Sequence, residues 1–537
     1  MRSTILLSVV SLASVCLVSS GYGCGSSNSN SPGDGGTGNE TSSGSSGGSS
    51  GGSSGSSSGG LPGDDGGGDG GDGATPCTLM PTGTQVLATK TQAVYGVTSD
   101  NQVLLFDWTG LSLSAVPLAG GTAATIGPFN SAQDFMGLSG SAVVLVQGAT
   151  QSAPYGKLTV WTAANGAKQV GTKTLAGTPG SGALDVSSDG KYILYTDNAT
   201  ATTADIYVAA IDGSNPLKLV SGVSYGSTCA PVLYFAGDDA VMSYCTAQPD
   251  GGTLAATVAA ITGAPTWQTT QTFANGDGAN FVSTRATTSS SLVAFVTSAG
   301  LQVEAIGGTT PTIIDANGGN GFFNNAGTSV IYFDKTGNIM ASAVATPAPG
   351  ELVAGPVLGT LALSADDNWL EFAKAQDSNT GATDMYLVST TASGADGGNA
   401  ATTLDSMTDG FNFGDPFTAD SSHVIFYTAV NSNGTGNYQG LGLPPSGAAK
   451  SITMTGWVGF ATSAAKVVYS DNWTNPTGSY QGYADIHAVD LAGTAAPSTV
   501  VTSADSNFFV TTDKTKIVYS WHACPGTAEG VYSIAAP

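Results

Sequence analysis

The chain has 537 residues, with 14 Lys and Arg against 38 Asp and Glu, and a formal net charge of −24. So acidic a chain repels nucleic acid and anionic lipid headgroups, and the composition therefore excludes both as partners. Solubility is the simplest role of this charge, and attraction of cations or basic ligands is the alternative. The length is sufficient for a large hydrophobic core.

The first element along the chain is an export signal. Arg2 is followed by an apolar run over 5–18, which is too short to cross a bilayer as a permanent helix. Small residues come next, and then Cys24. This order resembles the lipobox of bacterial lipoproteins, whose cysteine carries the lipid, although Gly21 stands where a Leu-like residue is usual. We therefore predict a signal peptide over 1–23 and lipidation of Cys24, with ordinary cleavage and a free secreted protein as the alternative.

A segment rich in Gly, Ser and Asp follows over 24–76. This composition cannot bury enough apolar surface to offset the entropy of ordering it, so we expect a disordered tether. A flexible segment of about 50 residues has an r.m.s. reach of roughly 40 Å. Such a tether is useful when the preceding cysteine is anchored, and the chain would then meet the membrane only through its lipid. The run 64–69 lacks the ligand spacing of a calcium loop, so we predict no metal site there.

From residue 77 onward, short apolar strings recur about ten times between polar turns, at a spacing of roughly 40–55 residues. The strings begin at Ala93, Val143, Tyr192, Ala240, Leu292, Val330, Trp369, Val424, Val467 and Ile517. In the best-preserved copy, over 186–213, the turn Ser188-Asp189-Gly190 precedes the apolar strand and Asp205-Ile206-Tyr207 opens its partner strand. This β-rich period is close to that of one four-stranded propeller blade.

These residues resemble the TolB-like repeat of β-propellers, a WD-repeat-like architecture, with Ser188 in place of the usual Pro. The resemblance is specific in four or five copies and otherwise lies in the period. It implies an all-β fold: a β-propeller of roughly 8–10 four-stranded blades over 77–537. One ring is favoured because no Pro-rich or charged linker interrupts the repeats, and two rings are the alternative.

Four cysteines fall within this domain, an even number in an oxidising compartment, and they allow three pairings. We favour Cys229–Cys245, which would close a local loop between neighbouring strands. The other pair, Cys77–Cys524, would then join the start of the domain to its last repeat and staple a single ring.

Catalytic and metal-binding motifs are sparse. His423, His487 and His522 fall in different repeats, and no H-E-x-x-H motif is present, so a zinc hydrolase site has no support. Ser224 fits the pattern G-x-S-x-G, but the residues that follow it do not start a helix, so we expect an inter-blade loop rather than a nucleophile. We predict no catalytic residue, no cofactor and no metal.

Three residues are candidate ligand contacts: Trp473, Trp521 and His522. Exposed aromatic rings beside Asp and Asn can stack on sugar rings or hold a peptide. Packing between blades is the alternative role for these rings.

The sequence thus predicts a bacterial envelope lipoprotein, in the outer membrane or periplasm, whose propeller face binds a protein, peptide or glycan without catalysis. A secreted protein is the alternative location. The alternative function is a propeller enzyme acting on polysaccharide, a lyase or glycosidase, with residues gathered around the central channel. A purely structural surface protein is a third reading.

Overall fold

The computed structural model describes residues 79–537, with gaps at 132, 151, 181, 226–229, 238, 247–254, 263–266, 277–278, 288–289, 356, 376–382, 391–400, 409–415, 431–435, 464–465, 475–482, 506–507 and 524–527. The predicted signal peptide, Cys24 and the tether lie outside the described residues.

The described residues contain no helix and form eight hydrogen-bonded antiparallel sheets, one with eight strands and one with six. Each of these two spans two repeats, so we divide both and number the resulting ten sheets in chain order. The first strand of the chain, β1 (Thr84–Ala88), belongs to the last sheet. Sheets 1 to 3 comprise β2 (Gln92–Val97), β3 (Gln102–Asp107), β4 (Ser112–Pro117) and β5 (Ala124–Pro128); β6 (Phe135–Ser139), β7 (Ala142–Gln147), β8 (Tyr155–Thr162) and β9 (Gly166–Leu175); and β10 (Leu184–Val186), β11 (Tyr192–Asp197), β12 (Thr203–Ala210) and β13 (Leu217–Ser224).

Sheets 4 to 7 comprise β14 (Val232–Ala236), β15 (Asp239–Thr246), β16 (Ala255–Thr262) and β17 (Gln268–Gly276); β18 (Asn280–Ala286), β19 (Ser291–Thr297), β20 (Gly300–Ala305) and β21 (Thr312–Asp315); β22 (Gly318–Phe323), β23 (Ser329–Asp334), β24 (Ile339–Ala343) and β25 (Gly350–Val353); and β26 (Leu358–Leu363), β27 (Trp369–Ala375), β28 (Thr383–Ser389) and β29 (Thr402–Thr408). One residue pair, Ser224 with Cys245, joins sheets 3 and 4.

Sheets 8 to 10 comprise β30 (His423–Val430), β31 (Gly436–Gly442) and the first half of β32 (Lys450–Ser463); the second half of β32 with β33 (Lys466–Thr474), β34 (Tyr483–Asp490) and β35 (Ser498–Asp505); and β36 (Phe508–Val510), β37 (Lys516–Trp521), β38 (Gly530–Ala535) and β1. In sheet 8 an isolated bridge between Phe417 and Val424 takes the place of the first strand.

The recurrent apolar strings are strands that are buried on both faces. Val143 and Leu145 of β7 pack toward sheet 1, whereas Val144 and Val146 pack toward sheet 3. Successive side chains of a strand point to opposite faces of its sheet. A strand whose sheet is packed on both faces must therefore be apolar at every position. Nine of the ten strings are second strands of their sheets. The string at Ala93 is instead the first strand of sheet 1.

The sheets form one closed ring. Nine hydrophobic clusters of the described residues lie between successive sheets, one at each junction from sheet 1 to sheet 10. The remaining junction is filled by a cluster that joins Val518 and Val531 of sheet 10 to Val103 and Leu105 of sheet 1. First strands of neighbouring sheets contact one another at the junctions of sheets 3 and 4, 4 and 5, 5 and 6, and 10 and 1, which places these strands innermost. The all-β propeller prediction is confirmed, at ten sheets and with one ring.

The ring is closed by the N-terminal strand. β1 pairs with β38 from Thr84 opposite Ser533 to Ala88 opposite Gly530, and so supplies the outermost strand of sheet 10. Val86 is the buried residue of β1. The first and last sheets are also joined directly, because the buried N–H of Val94 donates to Ser520 Oγ at 2.7 Å.

Candidate functional site

The two faces of the ring are built from different connections. Because strands alternate in direction within a sheet, connections from first to second and from third to fourth strand share one face, the turn face. Connections from second to third strand and from sheet to sheet share the opposite face, the loop face. By the strand bounds, no first-to-second connection is longer than 511–515. Second-to-third connections vary from 298–299 in sheet 5 to 522–529 in sheet 10.

One side-chain arrangement recurs on the turn face. In five connections a buried Ser or Thr hydroxyl donates to the carboxylate of the Asp two residues later, at 2.5–2.7 Å. The five pairs are Thr98–Asp100, Ser187–Asp189, Ser364–Asp366, Thr418–Asp420 and Thr511–Asp513. Asp189 was predicted from the sequence as a turn residue, but its hydroxyl partner Ser187 was missed, although Ser or Thr stands two residues before the Asp in each of these copies.

The best-preserved copy shows how this turn is held. Ser187 Oγ accepts from the backbone N–H groups of Lys191 and Tyr192, at 3.1 and 2.9 Å. Burial raises the pKa of the Asp189 carboxyl, but hydrogen bonds from Lys191 and Ser187 and the charge of Lys191 outweigh it and leave the pKa below its usual value. The Asp and Gly of the repeat therefore stabilise turns, as the sequence analysis expected.

Neighbouring turns also bond to each other around the turn face. The N–H of Ser99 donates to the Gly140 carbonyl at 3.0 Å between sheets 1 and 2. The carboxylate of Asp367 accepts from the N–H groups of Asn325 and Ala326, at 2.7 and 3.0 Å, between sheets 6 and 7. Many polar groups of these turns are therefore hydrogen-bonded within the protein.

The Asp that opens the third strand has an equally structural role in two sheets. Asp205 Oδ1 accepts from the N–H of Gly222, and Asp485 Oδ1 from the N–H of Ser503, each at 2.9 Å across a bulge in the fourth strand. Burial raises the pKa of Asp205, yet hydrogen bonds from Gly222, Asn198 and Lys218 hold it below its usual range.

On the loop face, three sheets meet where the ring closes. His522 Nδ1 lies 2.7 Å from Oδ2 of Asp505, the last residue of β35. Trp108 of sheet 1 packs edge-on against the His522 ring, with 5.3 Å between ring centroids. The Tyr483 hydroxyl donates to the His522 carbonyl at 3.1 Å. We call Trp108, Tyr483, Asp505, Trp521 and His522 the closure cluster.

The closure cluster contains an enclosed acid–base pair. The side chains of His522 and Asp505 are 10% and 4% exposed. Asp505 Oδ1, His522 Nε2 and Trp521 Nε1 are buried and have no hydrogen-bond partner among the described residues. A carboxylate that orients a histidine is part of a general-base arrangement, but here Nε2 is enclosed and a substrate cannot reach it. The pair therefore joins sheets 9 and 10.

The other two predicted contact residues do not lie in loops. Trp521 ends β37, is 0% exposed and packs in the core between sheets 9 and 10, so it serves the packing role that was the alternative. Trp473 lies within β33, which continues to Thr474, and not in a loop around it. The structure thus brings together His522 and Trp521, and it places Trp473 in the neighbouring sheet.

The remaining reactive residues lie apart. Ser224 ends β13 and pairs with Thr203 of β12, with no helix after it among the described residues. His423 Nδ1 lies 2.8 Å from Ser422 Oγ in sheet 8, and burial lowers the pKa of His423 although Asp420 and Asp490 oppose this. His487 stacks on Tyr469 in sheet 9, with 5.5 Å between centroids.

Cys245 lies in β15 and is disulfide-bonded. The other five cysteines lie outside the described residues, so the pairings Cys229–Cys245 and Cys77–Cys524 stay predictions.

A cavity of about 290 Å³ lies at the junction of sheets 4 and 5, lined by Asp239, Thr262, Gln271, Ile306, Gly307 and Gly308. The Gln271 amide donates to Glu304 Oε1 at 2.8 Å and to the Gly308 carbonyl at 3.2 Å, and it accepts from the Gly307 N–H at 2.7 Å. Burial raises the pKa of Glu304, and the Gln271 hydrogen bond opposes this. The Gln271 amide that lines this cavity thus holds a turn.

Within the described ranges, no group of three or more His, Cys, Asp or Glu residues is placed to hold a metal ion. In the same ranges there is no helix of the length and apolarity needed to span a bilayer.

Comparison with known proteins returns likenesses of fold. No family model and no curated protein matches the chain. Among solved structures it is similar to the tricorn protease, at 11% identity, a TM-score of 0.29 and coverage of 84% of this chain and 53% of that one. It is similar to TolB from Acinetobacter baumannii, at 12% identity and a TM-score of 0.24, covering 56% of this chain and 60% of TolB.

A third similar structure is the β-propeller domain of the Trilobed protease from Pyrococcus furiosus, at 9% identity and a TM-score of 0.30, covering 59% of this chain and 99% of that one. The fold is a β-propeller. This chain spans about half the length of the tricorn protease chain it matches. The ring itself follows from the strand pairing and the ten junctions described above.

Proposed function

We propose that this protein is an envelope-anchored, non-enzymatic binding or scaffold lipoprotein whose loop face binds a protein, peptide or glycan. The observation that carries the proposal is the difference between the two faces. The first-to-second turns of the turn face repeat one hydroxyl–Asp arrangement and bond turn to turn, whereas the second-to-third connections of the loop face differ in length from sheet to sheet. The third-to-fourth connections of the turn face also differ in length, from 163–165 to 390–401, so the contrast concerns the connections of the inner strands. Recognition surfaces are commonly built from unequal loops on a rigid scaffold.

Exposed apolar residues offer a matched test of this face. Leu111 and Phe135 lie on the loop face and are 49% and 42% exposed. Leu217 and Ile313 lie at the turn-face ends of fourth strands and are 41% and 54% exposed. Partners would be captured from an envelope extract with the chain from Cys77 to Pro537, within which the ring closes.

The double variant Leu111→Ser/Phe135→Ser should release the captured partner, and Leu217→Ser/Ile313→Ser should not. Both should keep the circular dichroism spectrum of the parent. Equal retention by both variants, or loss only in the turn-face variant, would argue against the loop face.

Anchoring is tested separately. Metabolic labelling with a fatty-acid analogue should label the full chain and not Cys24→Ala. Label that persists in Cys24→Ala would refute lipidation at that residue.

Peptide mapping by mass spectrometry should find Cys229 linked to Cys245, and a Cys77–Cys229 or Cys77–Cys245 peptide would refute both proposed pairings.

A further inference from the structure

The inner wall of sheets 4 to 6 carries an unusual set of side chains toward its loop-face end. The Tyr234 ring of β14 stacks on the Phe281 ring of β18, with 5.3 Å between centroids and 25° between planes. Next to Phe281, Asn280 Nδ2 donates to Asn320 Oδ1 of β22 at 3.3 Å. We call these four residues the inner-wall stripe. They come from three neighbouring first strands, so they lie on the wall of the central channel.

The position of Tyr234 confirms this placement. Its neighbours Leu233 and Phe235 are buried in the core between sheets 3 and 4, so the Tyr234 side chain leaves its strand on the opposite side. The ring meets Phe281 of sheet 5, yet its hydroxyl donates to the Gly180 carbonyl, ahead of sheet 3, at 3.0 Å. One side chain therefore reaches from sheet 5 to sheet 3 across the inner edge of sheet 4.

The polar half of the stripe has spare hydrogen-bonding capacity. Asn280 is exposed and Asn320 is half-buried, and apart from their mutual bond these amides bond no other described side chain. Asn320 is the one side chain larger than hydrogen in the run Gly318-Gly319-Asn320-Gly321. A Cβ on Gly318 would lie 2.6 Å from the Leu301 side chain, so the run lies close against its neighbours.

We propose that the inner-wall stripe binds a neutral carbohydrate chain. Tyr234 and Phe281 are half-buried, and Phe281 packs against the cluster between sheets 4 and 5. The exposed part of such aromatic rings offers an apolar surface to the C–H faces of sugars, and amide groups supply the paired donor and acceptor that sugar hydroxyls need. A net charge of −24 disfavours uronate-, sulfate- or phosphate-bearing polymers, which supports an uncharged sugar chain. This inference rests on the proposed binding function and names its ligand class.

The test is titration calorimetry of the full chain with maltohexaose, cellohexaose and chitohexaose, and with hexagalacturonate as the acidic probe. At least one neutral hexasaccharide should bind, and hexagalacturonate should bind more weakly than it. Phe281→Leu, which removes the ring and keeps an apolar side chain, should weaken binding about three- to ten-fold. Phe509→Leu makes the same change on the first strand of sheet 10 and should leave binding unchanged.

Asn280→Ala alters an exposed side chain and provides a second variant if Phe281→Leu fails to fold. It should weaken binding about two- to ten-fold. No binding of any neutral hexasaccharide, equal binding by Phe281→Leu and Phe509→Leu, or tighter binding of hexagalacturonate would overturn the assignment. If the captured partner is still released by Leu111→Ser/Phe135→Ser, the proposed function stands and only the carbohydrate assignment fails.

Discussion

Closure of the ring by β1 can be tested at a single glycine. Gly530 begins β38 opposite Ala88 of β1. A Cβ at this position would collide with the carbonyl oxygen of Leu87 and lie 3.1 Å from Gln85 Nε2 and 3.2 Å from the Cα of Ala88. The obstacles include backbone, which cannot rotate away, so Gly530→Ala must separate β1 from β38.

Two routes relieve this collision at similar cost. If both strands stay and shift, overpacking destabilises the protein by about 1–3 kcal/mol. If β1 detaches, the ring loses the burial of Val86, which is 5% exposed and stabilises by about 1.5–3 kcal/mol. Gly350→Ala is the matched control, because its nearest atom would be the Ala341 carbonyl oxygen at 3.9 Å.

The assay is urea unfolding followed by tryptophan fluorescence, together with hydrogen exchange of the β1 amides. Gly530→Ala should lower the unfolding midpoint and accelerate exchange in Thr84–Ala88, and Gly350→Ala should change neither. An unchanged midpoint with unchanged exchange in Gly530→Ala would show that β1 does not close the ring.

Three further predictions concern polar side chains that are buried or half-buried. Ser187→Ala should lower the free energy of unfolding by about 1–3 kcal/mol, because two backbone N–H groups and a carboxylate lose their partner. Ser188→Ala, which alters an exposed side chain in the same turn, should leave the free energy of unfolding unchanged. Equal losses for the two variants in urea unfolding would contradict this. Asp505→Ala should lower the free energy of unfolding by about 1.5–3 kcal/mol, because it leaves the enclosed His522 without its acceptor. The double variant Asp505→Ala/His522→Phe should recover part of this loss. Additive losses would show that the two side chains do not interact. Burial lowers the pKa of His423 in the folded state, so the unfolded state binds more protons near the ordinary pKa of about 6.5 and the free energy of unfolding should fall as the pH falls through that value. His423→Gln should flatten this dependence of the free energy of unfolding on pH between pH 7 and 5. An unchanged dependence would exclude His423 as its source.

Much of the scaffold could be predicted from local residues. The apolar string Tyr192–Tyr195 and the Asp205-Ile206-Tyr207 opening occupy adjacent strands of sheet 3, as their order and turn chemistry indicate. The sequence did not show that the string at Ala93 is a first strand while the other nine are second strands, because short apolar strings occur in both. The site could not be predicted at all from spacing, since Tyr234, Phe281 and Asn320 come from three different repeats.

The burial of Trp521 is a second feature that the sequence could not predict. A Trp followed by a His at a strand end suggests an exposed aromatic, but the neighbouring sheet covers it completely. Whether a ring at a strand end is packed or open depends on which sheet lies against it, and no local pattern carries that information.

The sequence by itself determined the strands, the period and the turn residues, because these follow from alternation of burial and from the conformational preferences of Asp and Gly over a few neighbouring positions. The tertiary structure decided that ten sheets make one ring, that β1 closes it, and that Tyr234, Phe281, Asn280 and Asn320 share one wall. These depend on contacts between residues far apart in the chain, such as the 426 positions between Val94 and Ser520. Only the packing of whole sheets against one another sets such contacts.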